Sequence, residues 1–146
     1  MKEWRFGSAR IVFDPVQYTV VTHYPGEHWT GGGVVHEDYE HAKLLNMKPI
    51  QHRLVHELGH HLVAQALGYY DGCPVLYSAA HNTSLPVNAD KLEWYVTAVT
   101  YYVFGRRLRH PNDEGALKEL RELSVDLGSI GRALRRAVAM EVALQA

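Results

Sequence analysis

The sequence predicts an α+β fold: a small N-terminal antiparallel sheet, then a helix carrying His56-Glu57-Leu58-Gly59-His60, then a C-terminal helical bundle. Three patterns predict it. Side chains alternate with a period of two between Arg10 and Tyr24, apolar residues recur at steps of four between Ile50 and Leu67, and leucines recur at steps of three and four after Asp113. Sheet signals precede helix signals, and no internal repeat or low-complexity linker interrupts them, so one domain accounts for the chain.

The first element is a strand. Val16, Tyr18, Val20, Thr22 and Tyr24 alternate with Gln17, Thr19, Val21 and His23, and β-branched and aromatic residues suit a pleated, half-buried surface. Asp14-Pro15 is a turn signal that separates this run from Ala9 to Phe13 and predicts a hairpin. Pro25 to Gly33 reads as a loop whose three glycines make a flexible bend, and Val34 to His36 as a short last strand with an exposed edge. Residues 1–48 are thus the sheet and loop region.

Residues 49–105 hold the central helices. Pro49 stands at a first helical turn, where proline is tolerated, and Leu54, Leu58, Leu62 and Ala66, widened by Val55 and Val63, form an apolar stripe reaching Leu67, with Gly68 as the terminating cap. A second stripe on the same helix is His52, His56 and His60. Pro74 to His81 forms a short helix, Asn82 to Asn88 a polar loop, and Asp90 caps a helix from Lys91 to Phe104. That helix is apolar nearly all round and therefore buried, yet it carries Glu93. In residues 112–146, after a break at Pro111 and a cap at Asp113, the stripe Leu117, Leu120, Leu123, Leu127, Ile130, Leu134 and Ala137 marks one or two amphipathic helices, divided by Gly128 and Gly131. This stripe faces the core, or else forms the seam of a homodimer.

Composition excludes several functions. Fifteen Lys plus Arg against sixteen Asp plus Glu give a net charge of -1, so no basic field holds a nucleic-acid backbone. The longest nearly uncharged apolar stretch, Trp94 to Phe104, is about half of the roughly 20 residues a bilayer span needs. A single cysteine, Cys73, and an N-terminus without an apolar leader core place the expected home in a reducing cytoplasm. Ten histidines are the anomaly.

Two of them carry chemistry. His56 and His60 lie four apart, on one face of a helix, so both imidazoles reach one ion at roughly 2.0 to 2.1 Å. Glu57 is rotated about 100° from the first ligand and projects beside the ion, where it can take a proton from water whose pKa zinc lowers to about 7. Gly59 costs about 1 kcal/mol against alanine in a helix, which points to a neighbour too close for a side chain.

The HELGH segment resembles the active-site helix of zincin metallopeptidases, particularly those whose third ligand is an acid on the next helix. The order of sheet, motif helix and glutamate helix is similar to that of short cytoplasmic zincins associated with phage repressor cleavage and stress response. The resemblance implies a zincin-like fold, zinc at His56 and His60, and Glu57 as general base. The longer signature with a third histidine six residues after the second fails, because position 66 is Ala66.

Three residues compete for the third ligand. Glu93 comes first, since a carboxylate on a buried helix needs a cation. His81 follows, as ligand or as the catalytic group that steadies an oxyanion, a part Tyr77 or Tyr95 can also play. Asp71 is third, in a Gly-rich turn. The expected function is a zinc-dependent peptidase acting on a peptide or protein that adds to the exposed strand near Gly33 to His36. The alternatives are a non-catalytic zinc-binding protein that captures a phage or host factor, and a metal-free helical interaction module.

Overall fold

Pro49 starts the helix whose apolar residues Leu54, Val55 and Leu58 lie at the centre of the core. The computed structural model describes residues 2–6, 9–14, 16, 19–23, 30–34, 38–67, 89–105 and 111–145. Strands β1 (Lys2–Phe6), β2 (Ala9–Asp14), β3 (Thr19–His23) and β4 (Thr30–Val34) are followed by helices α1 (Tyr39–Leu45), α2 (Pro49–Ala66), α3 (Ala89–Phe104), α4 (Pro111–Glu122) and α5 (Leu127–Gln145).

The strands pair antiparallel in the order β1-β2-β3-β4. Ile11 sits opposite Thr22, and Gly31, Gly32 and Gly33 sit opposite Thr22, Val21 and Val20. The three glycines expected in a bend therefore lie in β4, an edge of that sheet. A strand needs no positive φ, so these glycines serve backbone pairing without side chains.

The α+β class predicted from the sequence is corrected: the described chain is mostly helical, and helices enclose its core. Among the described residues, Ile11 is the one sheet residue in the buried hydrophobic cluster; Leu54, Val55 and Leu58 of α2, Val96 and Val99 of α3, Leu117 and Leu120 of α4, and Ile130 and Leu134 of α5 make up its centre. The α2 helix packs on α3 and α5, and α4 packs on α3. Alternation along a strand reports one half-buried face, but not which layer closes the core, and here helix against helix does so.

Helix details also differ from expectation. The short helix α1 lies in the region read as sheet and loop. The C-terminal break falls at Leu123–Asp126, where Ser124 takes φ 64° and Val125 N–H donates to Leu120 O at 2.9 Å. Gly128 and Gly131 lie inside α5. Asp126 caps α5 by accepting from Ser129 N–H at 3.0 Å, which sets the true boundary. Leu117, Leu120, Leu127, Ile130, Leu134 and Ala137 are buried in the chain's own core, while Leu123 is exposed. Among the described residues no helix is long and apolar enough to cross a membrane.

Gly59 fulfils its expected part. A Cβ there would meet Val96 Cγ1 at 3.0 Å, so glycine is what lets α3 approach α2 this closely. That approach brings Glu93, one turn before Val96, to the histidine stripe.

Candidate metal centre

The stripe His52, His56, His60 follows from helical spacing on α2, and α3 delivers Glu93 to its lower two members. Glu93 Oε1 lies 2.8 Å from His60 Nε2 and Glu93 Oε2 lies 3.2 Å from His56 Nε2. The two Nε2 atoms are 3.1 Å apart, and the two rings stand nearly perpendicular at 82°. One donor atom from each of the three residues lies within 4.8 Å of the others, so His56, His60 and Glu93 form a group that could hold a metal ion. Ligands at 2.0 to 2.1 Å in a tetrahedron are about 3.3 Å apart, so the donors already stand close to ligand spacing.

Electrostatics agree with that geometry. Burial pushes the His56 imidazole below its ordinary value, keeping it neutral as a metal ligand must be. Burial alone would raise the Glu93 carboxyl, but hydrogen bonds from His56 and His60 outweigh it and hold the group well below the usual carboxylate range. His60 Nδ1 is buried without a hydrogen-bond partner among the described residues.

Glu57 is buried on the adjoining face of α2, where its charge reaches His56. Arg53, one turn earlier, donates from Nη1 to Glu57 Oε1 at 3.2 Å and from Nε to Asp38 Oδ2 at 3.0 Å. Asp38 occupies the N-cap position of α1 but makes no cap hydrogen bond. Its carboxylate instead accepts from Arg53 and from His52 Nδ1. His41 of α1 stacks on His52 with ring centres 4.9 Å apart and bonds Tyr101 OH of α3 at 2.9 Å. A cavity of about 310 Å³ opens beside the group, lined by Asp38, His52, Arg53, His56, Glu93 and Thr97 together with His41.

The structure thus brings together His56, His60 and Glu93, with Glu57 alongside. Tyr95 is buried and donates to Glu119 Oε2 at 2.9 Å on α4, which removes it as an oxyanion donor. His81, Asp71 and Tyr77 lie outside the described residues, as do His28, His36, Cys73 and His110. Asp38, Arg53 and His41 were not singled out in the sequence; the one available signal was an acid at the start of a short amphipathic segment. No family model, curated protein or solved structure matches the chain, so its chemistry rests on these residues.

Proposed function

We propose that this chain is a zinc-dependent hydrolase, most simply a small metallopeptidase, in which His56, His60 and Glu93 hold the ion and Glu57 is the general base. The observation that carries the reading is the convergence of two imidazole nitrogens and one carboxylate at ligand spacing. Two histidines and a glutamate are the donor set of catalytic zinc, which leaves a position open, whereas structural zinc is closed by four protein groups. Bound zinc supplies Lewis acidity, polarising a carbonyl and lowering the pKa of water to about 7.

The protein's own residues do the rest. In this reading Glu57 takes a proton from water and passes it to a leaving amine. Arg53, itself bonded to Asp38, donates to that carboxylate. The edge strand β4, in a sheet that α2 rests against through β2, β3 and β4, offers main-chain hydrogen bonds to an extended peptide, and its glycines put no side chain in the way.

One observation favours a second reading, a zinc-stabilised interaction protein without turnover: the Glu57 carboxylate is already engaged by Arg53. Elemental analysis combined with Glu57→Gln separates the two. The hydrolase reading expects about one zinc per chain in both proteins and turnover in the unsubstituted one alone. Equal turnover in both removes Glu57 from the mechanism, and zinc without turnover in either leaves the binding protein.

A further inference from the structure

The walls of the cavity beside the metal group are bonded to one another or to Tyr101, with one exception. Asp38 bonds His52 and Arg53, His41 bonds Tyr101, and Glu93 bonds His56. Thr97, which completes the lining, makes no hydrogen bond with any described residue. A threonine inside a helix commonly turns its hydroxyl back to the carbonyl one turn earlier. Thr100 does so, at 2.8 Å to Val96 O, whereas Thr97 does not bond the Glu93 carbonyl. Its hydroxyl keeps both a proton and lone pairs for an occupant of the cavity. Four residues after Glu93 on α3, it stands on the same face about 6 Å further along the axis, so that occupant lies within a turn of the metal group.

The fixed charges around the cavity balance. Asp38, Arg53 and Glu57 form one chain of ion pairs with a formal excess of one negative charge. A divalent ion held on Glu93 leaves one positive charge in excess, and the two cancel. A charged occupant would give up its hydration and find no net countercharge. An apolar one would cover the Thr97 hydroxyl without giving it a bond. An uncharged side chain that both donates and accepts meets neither cost, and about 310 Å³ admits one such side chain.

We propose that this cavity is a subsite for an uncharged, hydrogen-bonding side chain of the substrate, a carboxamide in particular, and that Thr97 determines the preference. The proposal rests on the metallopeptidase reading and names its substrate class: peptides with glutamine or asparagine beside the bond cleaved. A carboxamide presents a carbonyl acceptor and two N–H donors, and a hydroxyl answers either end.

The test is calorimetric titration of zinc-loaded Glu57→Gln protein with three capped pentapeptides that differ only at the central residue: glutamine, methionine or glutamate. Methionine is the apolar counterpart of similar size, and glutamate the charged one of the same shape. A hydrogen-bonded subsite predicts that the glutamine peptide binds at least about tenfold tighter than either. Adding Thr97→Val should abolish the preference, and adding Thr97→Ser should keep it. Because the Thr97 hydroxyl has no bond to a described residue to lose, Thr97→Val should leave zinc content and melting temperature unchanged. A preference lost only together with zinc or with the fold shows a structural role and overturns the proposal. So does equal or weaker binding of the glutamine peptide, or a preference that survives Thr97→Val. If the unsubstituted protein cleaves none of the peptides while the Thr97-dependent preference persists, the hydrolase reading fails and the subsite stands.

Discussion

Arg53 Nη1 donates to Glu57 Oε1 at 3.2 Å across one turn of α2, with both side chains largely withdrawn from solvent at 13% and 8% exposure. The same guanidinium reaches back to Asp38. Burial works against the charged guanidinium, but Asp38 and Glu57 outweigh it and hold Arg53 firmly protonated.

Removing that cation takes the guanidinium countercharge away from two buried carboxylates. Arg53→Met should therefore lower folding stability by about 3 to 5 kcal/mol, the cost of breaking a buried pair from one side. Arg53→Lys keeps the charge but loses the fork that serves two acids at once, so it should fall between. Denaturant titration of the three proteins checks the order, and an undiminished midpoint for Arg53→Met refutes it.

Loss of any one ligand should cripple metal binding. His60→Ala and Glu93→Ala should each weaken zinc affinity by more than about 100-fold, beyond what loss of an outer-shell partner costs. His61→Ala, next along α2 but outside the group, should leave the stoichiometry intact. Competition with a chromophoric chelator reads all three.

Acid should destabilise the metal-free protein in two stages. Burial depresses His56 below its ordinary 6.5, and Glu93 is held below its ordinary 4.5 by hydrogen bonds from His56 and His60 that outweigh burial. A group whose folded-state pKa is depressed is protonated first in the unfolded chain, so the stability it contributes is present above the unfolded value and lost as pH falls. The melting temperature should decline first below about 6.5, then again below about 4.5. His56→Gln should erase the first decline, and a melting temperature that rises on acidification contradicts the assignment.

Gly59→Ala tests the close approach of α2 and α3. Alanine gains about 1 kcal/mol of helix propensity, but its Cβ would stand 3.0 Å from Val96 Cγ1, and overpacking a core costs typically about 1 to 3 kcal/mol. The net expectation is a modest loss of stability, with weaker zinc binding as Glu93 moves off the imidazoles. Restored affinity in Gly59→Ala combined with Val96→Ala would confirm the contact, and unaltered affinity in Gly59→Ala alone would exclude it.

Much of the metal group is legible in the sequence because it is local. Helical spacing alone sets His56 and His60 on one face, and Glu93 announces itself as an acid in an apolar helix. The tight packing at Gly59 is legible for the same reason, since a poor helix former in mid-helix needs a cause. The surrounding acid and base partners are not legible. Asp38 meets His52 and Arg53 across 14 and 15 residues, and His41 meets Tyr101 across 60. Helix α1, which carries or caps them, has seven residues, too few for periodicity to declare itself and too few to be stable without its neighbours. The fold class failed on the same ground: the strand signal reports pairing, whereas the decision that helices close the core is made by contacts between distant segments.

Helix α1 is fastened to two different helices, through Asp38 to α2 and through His41 to α3, and it supplies two of the cavity's walls while contributing no ligand. On the hydrolase reading, a substitution that loosens α1 therefore reaches Glu57 as well, because the Arg53 that bonds Glu57 is itself held by Asp38 at the start of that helix.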